Sequence, residues 1–249
     1  KAEEELGEPS KKGEPDWEEL LAAYDSIREE GLPSLSEVRS ESDAWQKTVE
    51  QKTELRTKWE RERWTAESFR ASSVHNRDFS RQDLSGLDLS GMDLSGMNFR
   101  NAILFQTNLT KAILKNADLT RANLRKADLG EADLSGAILE SADLDEANLS
   151  RATLQKANLN GASLIHAVLR NADLSGASAE RATLYQADLV AANLNGIQCP
   201  GADFSRAHLT NAQLQEADLT NASVEGAKGV GASFRKATLV KLHAGKHAD

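Results

Sequence analysis

From Phe79 to Leu239 an apolar centre returns at every fifth position, 33 times without insertion or deletion; 25 of these centres are Leu and four are Phe. Ala stands two positions before the centre in 26 of the 33 units, and the residue between is most often Asp or Asn, as in ADLTRANLRKADLGE from Ala117 to Glu131. A five-residue period matches neither a 3.6-residue helix nor an uninterrupted two-residue strand, so the chain must be reset within every unit. Within a unit, Ala and Leu are two apart and share one face of an extended segment, while the Asp or Asn between them faces the other way. The last two positions are rich in Ser, Thr, Gly, Asn, Lys and Arg, which suits wet corners. One Ala and one Leu bury too little surface to offset chain entropy, so the units must stack as a solenoid with coils roughly 4.8 Å apart. The periodicity leaves open whether three or four units close a coil.

The repeated wording A-(D/N)-L-x-x resembles that of the pentapeptide-repeat proteins. The resemblance implies an all-β solenoid, a right-handed quadrilateral parallel β-helix with four units per coil, here carrying a short α-helical N-terminal extension. The 33 units would then make about eight coils, a rod roughly 40 Å long at the strand spacing.

Ahead of the repeat, residues 1–16 read as a charged linker punctuated by Gly and Pro, and a chain that opens on a linker reads as part of a longer protein. Residues 17–63 read as a helical extension. Asp16 caps a first amphipathic helix carrying Leu20, Leu21, Tyr24 and Ile27, and a second runs to about Arg63 with sparse apolar points at Trp45, Val49, Leu55 and Trp59. Trp64, Phe69 and Val74 continue the five-residue frame backwards and are expected to form an aromatic capping coil, so the solenoid is placed at 64–240 with a tail over 241–249. At the far end Phe234, Leu239 and Leu242 either cap likewise or, as apolar C-terminal ends do in some relatives, make a homodimer contact.

Mean hydropathy is −0.52. No apolar run approaches the roughly 18 residues of a membrane span, and no secretory signal is visible, so a soluble, cytoplasmic protein is expected. The lone Cys199 occupies a centre and reads as a small core residue. No phosphate loop, nucleophile elbow or zinc spacing occurs. His243 and His247 have the spacing of two helical metal ligands, but Gly245 between them favours a frayed tail. The recurring Asp face water, and the interior that pKa tuning would need is filled by Leu. No enzyme, cofactor or metal site is therefore expected.

Function must then reside on the exterior. The net charge of −9 divides into −6 for residues 1–77 and −3 for the rest, where 20 acidic residues meet 17 basic ones. That balance disfavours nucleic-acid binding, and Lys111, Lys115, Arg121, Arg125, Lys126, Arg151 and Lys156 interrupt any DNA-like negative field. With four units per coil, Ile103, Phe105, Ile165 and Tyr185 share one wall and form the candidate partner surface. Pro200 should remove a ladder donor and Gly229 a core side chain, so local bends or bulges are expected there. The reading is a non-enzymatic protein-interaction scaffold. A repeat rod after a charged helical linker resembles in layout the C-terminal part of bacterial type VI secretion accessory proteins that load an effector onto the secretion spike. The alternative implied by the family is a DNA mimic that binds or protects a type II topoisomerase.

Overall fold

The computed structural model describes residues 64–244. The linker over 1–16, the two helices over 17–63 and the tail from Gly245, His247 included, lie outside the described residues.

The repeat closes on itself once in every four units. Isolated parallel bridges join Asp78 to Asn98, Asn98 to Asp118, Asp118 to Ile138 and so on without a slip to the pair Ser223 and His243. The bridge residue is always the one between the Ala and the Leu positions. This settles the choice that the period had left open. Each unit contributes a single bridge residue to its wall, so the walls are ladders of one-residue rungs separated by corners.

The unit Ala117–Arg121 shows why five residues suffice, because all five of its N–H groups have a partner. Ala117 donates back across the corner to the Leu114 carbonyl at 3.1 Å, and Asp118 donates to Met97 in the preceding coil at 2.9 Å. Leu119 and Arg121 donate to Ile138 and Glu140 in the following coil at 2.7 and 2.9 Å. The fifth, the N–H of Thr120, is taken by the Asp118 carboxylate at 3.0 Å. The consensus Asp or Asn is thus an Asx cap on a backbone donor that finds no backbone carbonyl in either neighbouring coil. The corner needs a left-handed residue at its end, and the last position of all 33 units has positive φ, ten times as Gly and 23 times as another residue. An i to i+3 bond with φ positive only at the third residue is the type II turn.

Some bridge positions cannot cap, and three of these are rescued from the coil before. Asp145 Oδ1 accepts the Ile165 N–H at 2.9 Å, Asn160 Oδ1 that of Glu180 at 2.8 Å, and Asn195 Oδ1 that of Gln215 at 2.9 Å. Pro200 stands at this same fourth position, which donates to no ladder, and its fixed φ suits that place in a type II turn. Its flanking ladder bonds, Cys199 to Asp218 and Gly201 to Thr220, are intact. The expected bend or bulge is therefore absent; the proline removes the one donor that Gln198 would have left uncapped.

Inside, the Ala and centre side chains are buried from Phe79 to Leu219 in four columns. Ala179 and Cys199 are small centres one coil apart, and the buried Ile197 takes the place of the usual Ala beside them. Thr107, another departure at the Ala position, satisfies its buried hydroxyl by donating to the Leu84 carbonyl at 2.9 Å.

The N-terminal end is closed by a helix, α1 (Ala66–Ser73), and not by a coil of the repeat. Thr65 and Ser68 form a reciprocal capping box, which commits the segment to a helix before the first bridge at Asp78. The helix buries Phe69 on Phe79, ring centroids 4.4 Å apart, with Trp64 edge-on to Phe79 at 5.4 Å and Phe99 stacked one coil further on. Val74 takes no part: it is the residue that ends the helix and is 72 % exposed. Count alone placed it in register, whereas helical geometry turns it to solvent.

Candidate functional site

With the interior filled, chemistry is confined to the outer wall and the two ends. The carboxylates of the wall are structural groups. Ser90's hydroxyl and N–H hold Asp88 below the usual carboxylate range. Burial opposes the same effect at Asp118, but Thr120 and Arg100 outweigh it. Asp143 is the exception: desolvation and the neighbouring Asp145 push its carboxyl up. The Cys199 thiol is pushed to about 12 by burial and by Asp218, and donates to the Asp218 carbonyl at 3.2 Å. That is the state of an inert core thiol. Among the described residues no cluster of His, Cys, Asp and Glu could hold a metal ion. His243 is in a bridge with Ser223, so the helical spacing inferred for it and His247 does not apply.

Many wall cations face acids in the next coil. Lys111 meets Glu131 at 3.8 Å, Lys126 meets Glu146 at 3.6 Å and Lys115 meets Asp133 at 3.1 Å. These exposed pairs add little stability each, but they neutralise the wall locally.

Against this background the four candidate residues fall into two groups. Ile103 and Phe105 are half-buried in one coil, and Arg125 and Asp145 occupy the next two coils above Phe105. Ile165 and Tyr185 follow in consecutive coils at the same position, also half-buried. The structure adds two residues that the sequence reading missed. His166 lies edge-on to the Tyr185 ring at 6.3 Å, and the Arg206 guanidinium stands 5.8 Å from its centroid. Both occupy corner positions one coil to either side, so the four-unit register would have found them. The result is an aromatic ring with one face on a cation, fixed in orientation beside an isoleucine.

The two ends differ. At the N-terminal end, Arg70 donates to the Asp88 carbonyl and Arg77 to that of Ser95, so two backbone acceptors of the first coil are met by side chains. Toward the C-terminus Gly229 replaces a centre, and a cavity of about 280 Å³ lies there, lined by Leu209, Val224, Phe234 and Leu239 among others. Leu239, Val240 and Val230 beside it are 42, 55 and 70 % exposed. Phe234 and Leu242 line this cavity with Leu239. No helix among the described residues is long and apolar enough to cross a membrane.

Comparison with known proteins agrees with this architecture. The family model described as "Pentapeptide repeats" matches in eight copies, over stretches that begin at residue 69 and end at 242. HetL of Nostoc sp. strain PCC 7120, involved in heterocyst differentiation regulation, is 29 % identical with a TM-score of 0.55, covering 69 % of this chain and 92 % of its own. A second Nostoc protein, alr5209, is 39 % identical over 38 % of this chain and 76 % of its own, with a TM-score of 0.35. A trypsin-treated form of QnrB1, a plasmid-mediated fluoroquinolone resistance protein, is 20 % identical with a TM-score of 0.41, covering 63 % of this chain and 88 % of its own. No curated protein matches by sequence.

Proposed function

The chain belongs to the pentapeptide-repeat family, and from that premise we propose that it is a non-enzymatic scaffold that binds another protein through the wall carrying Ile165 and Tyr185. The observation that carries this reading is the Tyr185 ring, held between Arg206 and His166 on the outer wall. A preorganised aromatic beside Arg is the chemistry of an interface anchor. The family fold completes the picture as a right-handed quadrilateral rod of about eight coils.

The more specific role is an adaptor that helps load an effector onto a bacterial type VI secretion spike. Its support is the layout of the sequence, in which a charged stretch that reads as helical precedes the uninterrupted repeat. The alternative of a topoisomerase-binding DNA mimic would need an unbroken negative wall, and the ion pairs across coils supply the opposite. A homodimer through the C-terminal end is the remaining partner reading.

Pull-down from a bacterial lysate with the wild type, Tyr185→Asp and Phe105→Asp separates the possibilities. Recovery of spike or effector proteins by the wild type, lost in Tyr185→Asp, supports the adaptor. Stoichiometric inhibition or protection of gyrase in a supercoiling assay, lost when Asp118 and Asp218 become Lys, would replace it with the mimic.

A further inference from the structure

We infer that the occupant of the Tyr185 wall is an amphipathic α-helix laid along the rod, with a contact stripe that reads apolar, acidic, basic, apolar, apolar from Phe105 to Tyr185. The inference rests on the reading of this wall as the partner site and adds the partner's shape and charge order.

The order is set by one outer column. At intervals of one coil its fourth-position residues are Phe105, Arg125, Asp145, Ile165 and Tyr185, with Ile103 beside Phe105 and Asp143 beside Asp145 at the bridge positions. An apolar spot, a cation, two carboxylates and a second apolar spot therefore follow one another along the rod.

The charges in this column are left for something else to meet. On each of the other three walls a fourth-position cation closes onto the bridge carboxylate of the next coil: Arg100 onto Asp118, Lys115 onto Asp133 and Arg170 onto Asp188. Arg125 stands in the same relation to Asp143, yet it is exposed and makes no ion pair among the described residues. Asp145 is held in place by the Ser163 hydroxyl and the Ile165 N–H, and its charge and burial push the Asp143 carboxyl up. A partner carboxylate over Arg125 and a partner ammonium over the two Asp supply the pairing that the wall does not make itself.

The pitch selects a helix. Coils are roughly 4.8 Å apart and a helix advances about 5.4 Å per turn, so side chains from successive turns stay within about 3 Å of register from Phe105 to Tyr185. An extended strand spaces its same-face side chains about 6.7 Å apart and is about 4 Å out of step by the coil of Asp145. One helix face of apolar and charged residues is also a common form of peptide ligand.

The probe is a fluorescein-labelled peptide of about five turns, Ala and Gln apart from Leu, Glu, Lys, Leu and Leu on successive turns of one face, and held helical by a lactam on the other face. A control peptide exchanges its Glu and Lys, which keeps composition and net charge but mismatches the column in either direction. Fluorescence anisotropy with the full chain at low salt should show saturable binding of the first peptide, at least tenfold tighter than of the control. Arg125→Glu should weaken it at least tenfold, and a peptide with Lys in place of its Glu should recover most of that loss on this variant alone. Tyr185→Asp should weaken the matched peptide likewise. Equal binding of the matched and control peptides, binding of neither, or no recovery by the Lys peptide overturns the helix inference. The partner-site reading fails separately, if proteins captured from a lysate are retained by Tyr185→Asp; their loss in Tyr185→Asp with full retention in Arg125→Glu keeps the site and overturns the helix.

Discussion

Asn148→Asp is an isosteric change that should destabilise the protein, whereas the same change at Asn158 should not. Both residues cap the N–H two positions on, to Ser150 and to Asn160, and an Asp can do the same. The difference lies in the neighbouring coil. Asn148 Nδ2 donates to Asp128 Oδ1 at 2.9 Å, and an Asp in its place would lose that bond and set one carboxylate over another. Asn158 is bridged to Ile138 and Ser178, neither of which is charged. Two unit charges at the inter-strand spacing of roughly 5 Å repel by about 1 kcal/mol at bulk-water permittivity and about 3 kcal/mol at the effective value near a protein surface. The lost hydrogen bond adds about 1 kcal/mol, and nearby Arg151 and Arg170 temper the repulsion, so a net cost of about 1–3 kcal/mol is expected. Urea unfolding at pH 7 measures it. The cost should shrink in high salt, and again at acid pH where one member of the pair is protonated. Equal midpoints for the two variants at pH 7 and low salt would refute the claim that bridge rows are electrostatically coupled at the four-unit spacing.

Leu144 lies with no exposure between Leu124 and Leu164 in one column, so Leu144→Ala should cost roughly 2–5 kcal/mol by urea unfolding, because a stacked column cannot collapse into the cavity. Asp118 has a lowered pKa, so the stability it contributes is present above 3.8 and is lost as pH falls through its folded value; Asp118→Asn should destabilise at pH 7 and match the wild type at the acid end. Asp143 has a raised pKa, so its ionised form is a penalty above the folded value that disappears below 3.8; Asp143→Asn should therefore stabilise at pH 7 and lose its advantage in acid. Ala191 ends its unit in the left-handed region. Ala191→Gly therefore relieves about 1 kcal/mol of left-handed strain, loses somewhat less to chain entropy, and should raise the melting temperature slightly.

The apolar centres alone showed that the chain stacks, because their spacing excludes ordinary helix and strand. They did not show the coil length, since a column of Leu over Leu is equally good with three units or four. The two ends were harder to read. Trp64 and Phe69 were found by extending the count, but the count also admitted Val74, which a helix sends to solvent. Counting by fives carries no information about where the backbone stops obeying the repeat; the capping pair Thr65 and Ser68 does. Pro200 was misjudged for a related reason: strand logic assigns every residue a ladder bond, yet two N–H groups in each unit, those of the first and fourth positions, belong to the corner.

The coil length was written in the polar positions. Asp occupies the bridge position in 12 units, and in none of them is the residue four units later another Asp. Asn108, Asn148 and Asn193 follow Asp88, Asp128 and Asp173 at that spacing and donate a hydrogen bond to each. With three units per coil, six Asp–Asp pairs would stack, among them Asp118 over Asp133 and Asp188 over Asp203. Like charges directly opposite are destabilising, so a three-unit coil would set six unfavourable pairs where a four-unit coil sets none. The Asp and Asn that look interchangeable within one unit are distinguished by the unit four places away. Recognition is less legible for the opposite reason. Tyr185, His166 and Arg206 come together only once that register is known, and nothing in the stacking of the coils requires an aromatic on the outer wall.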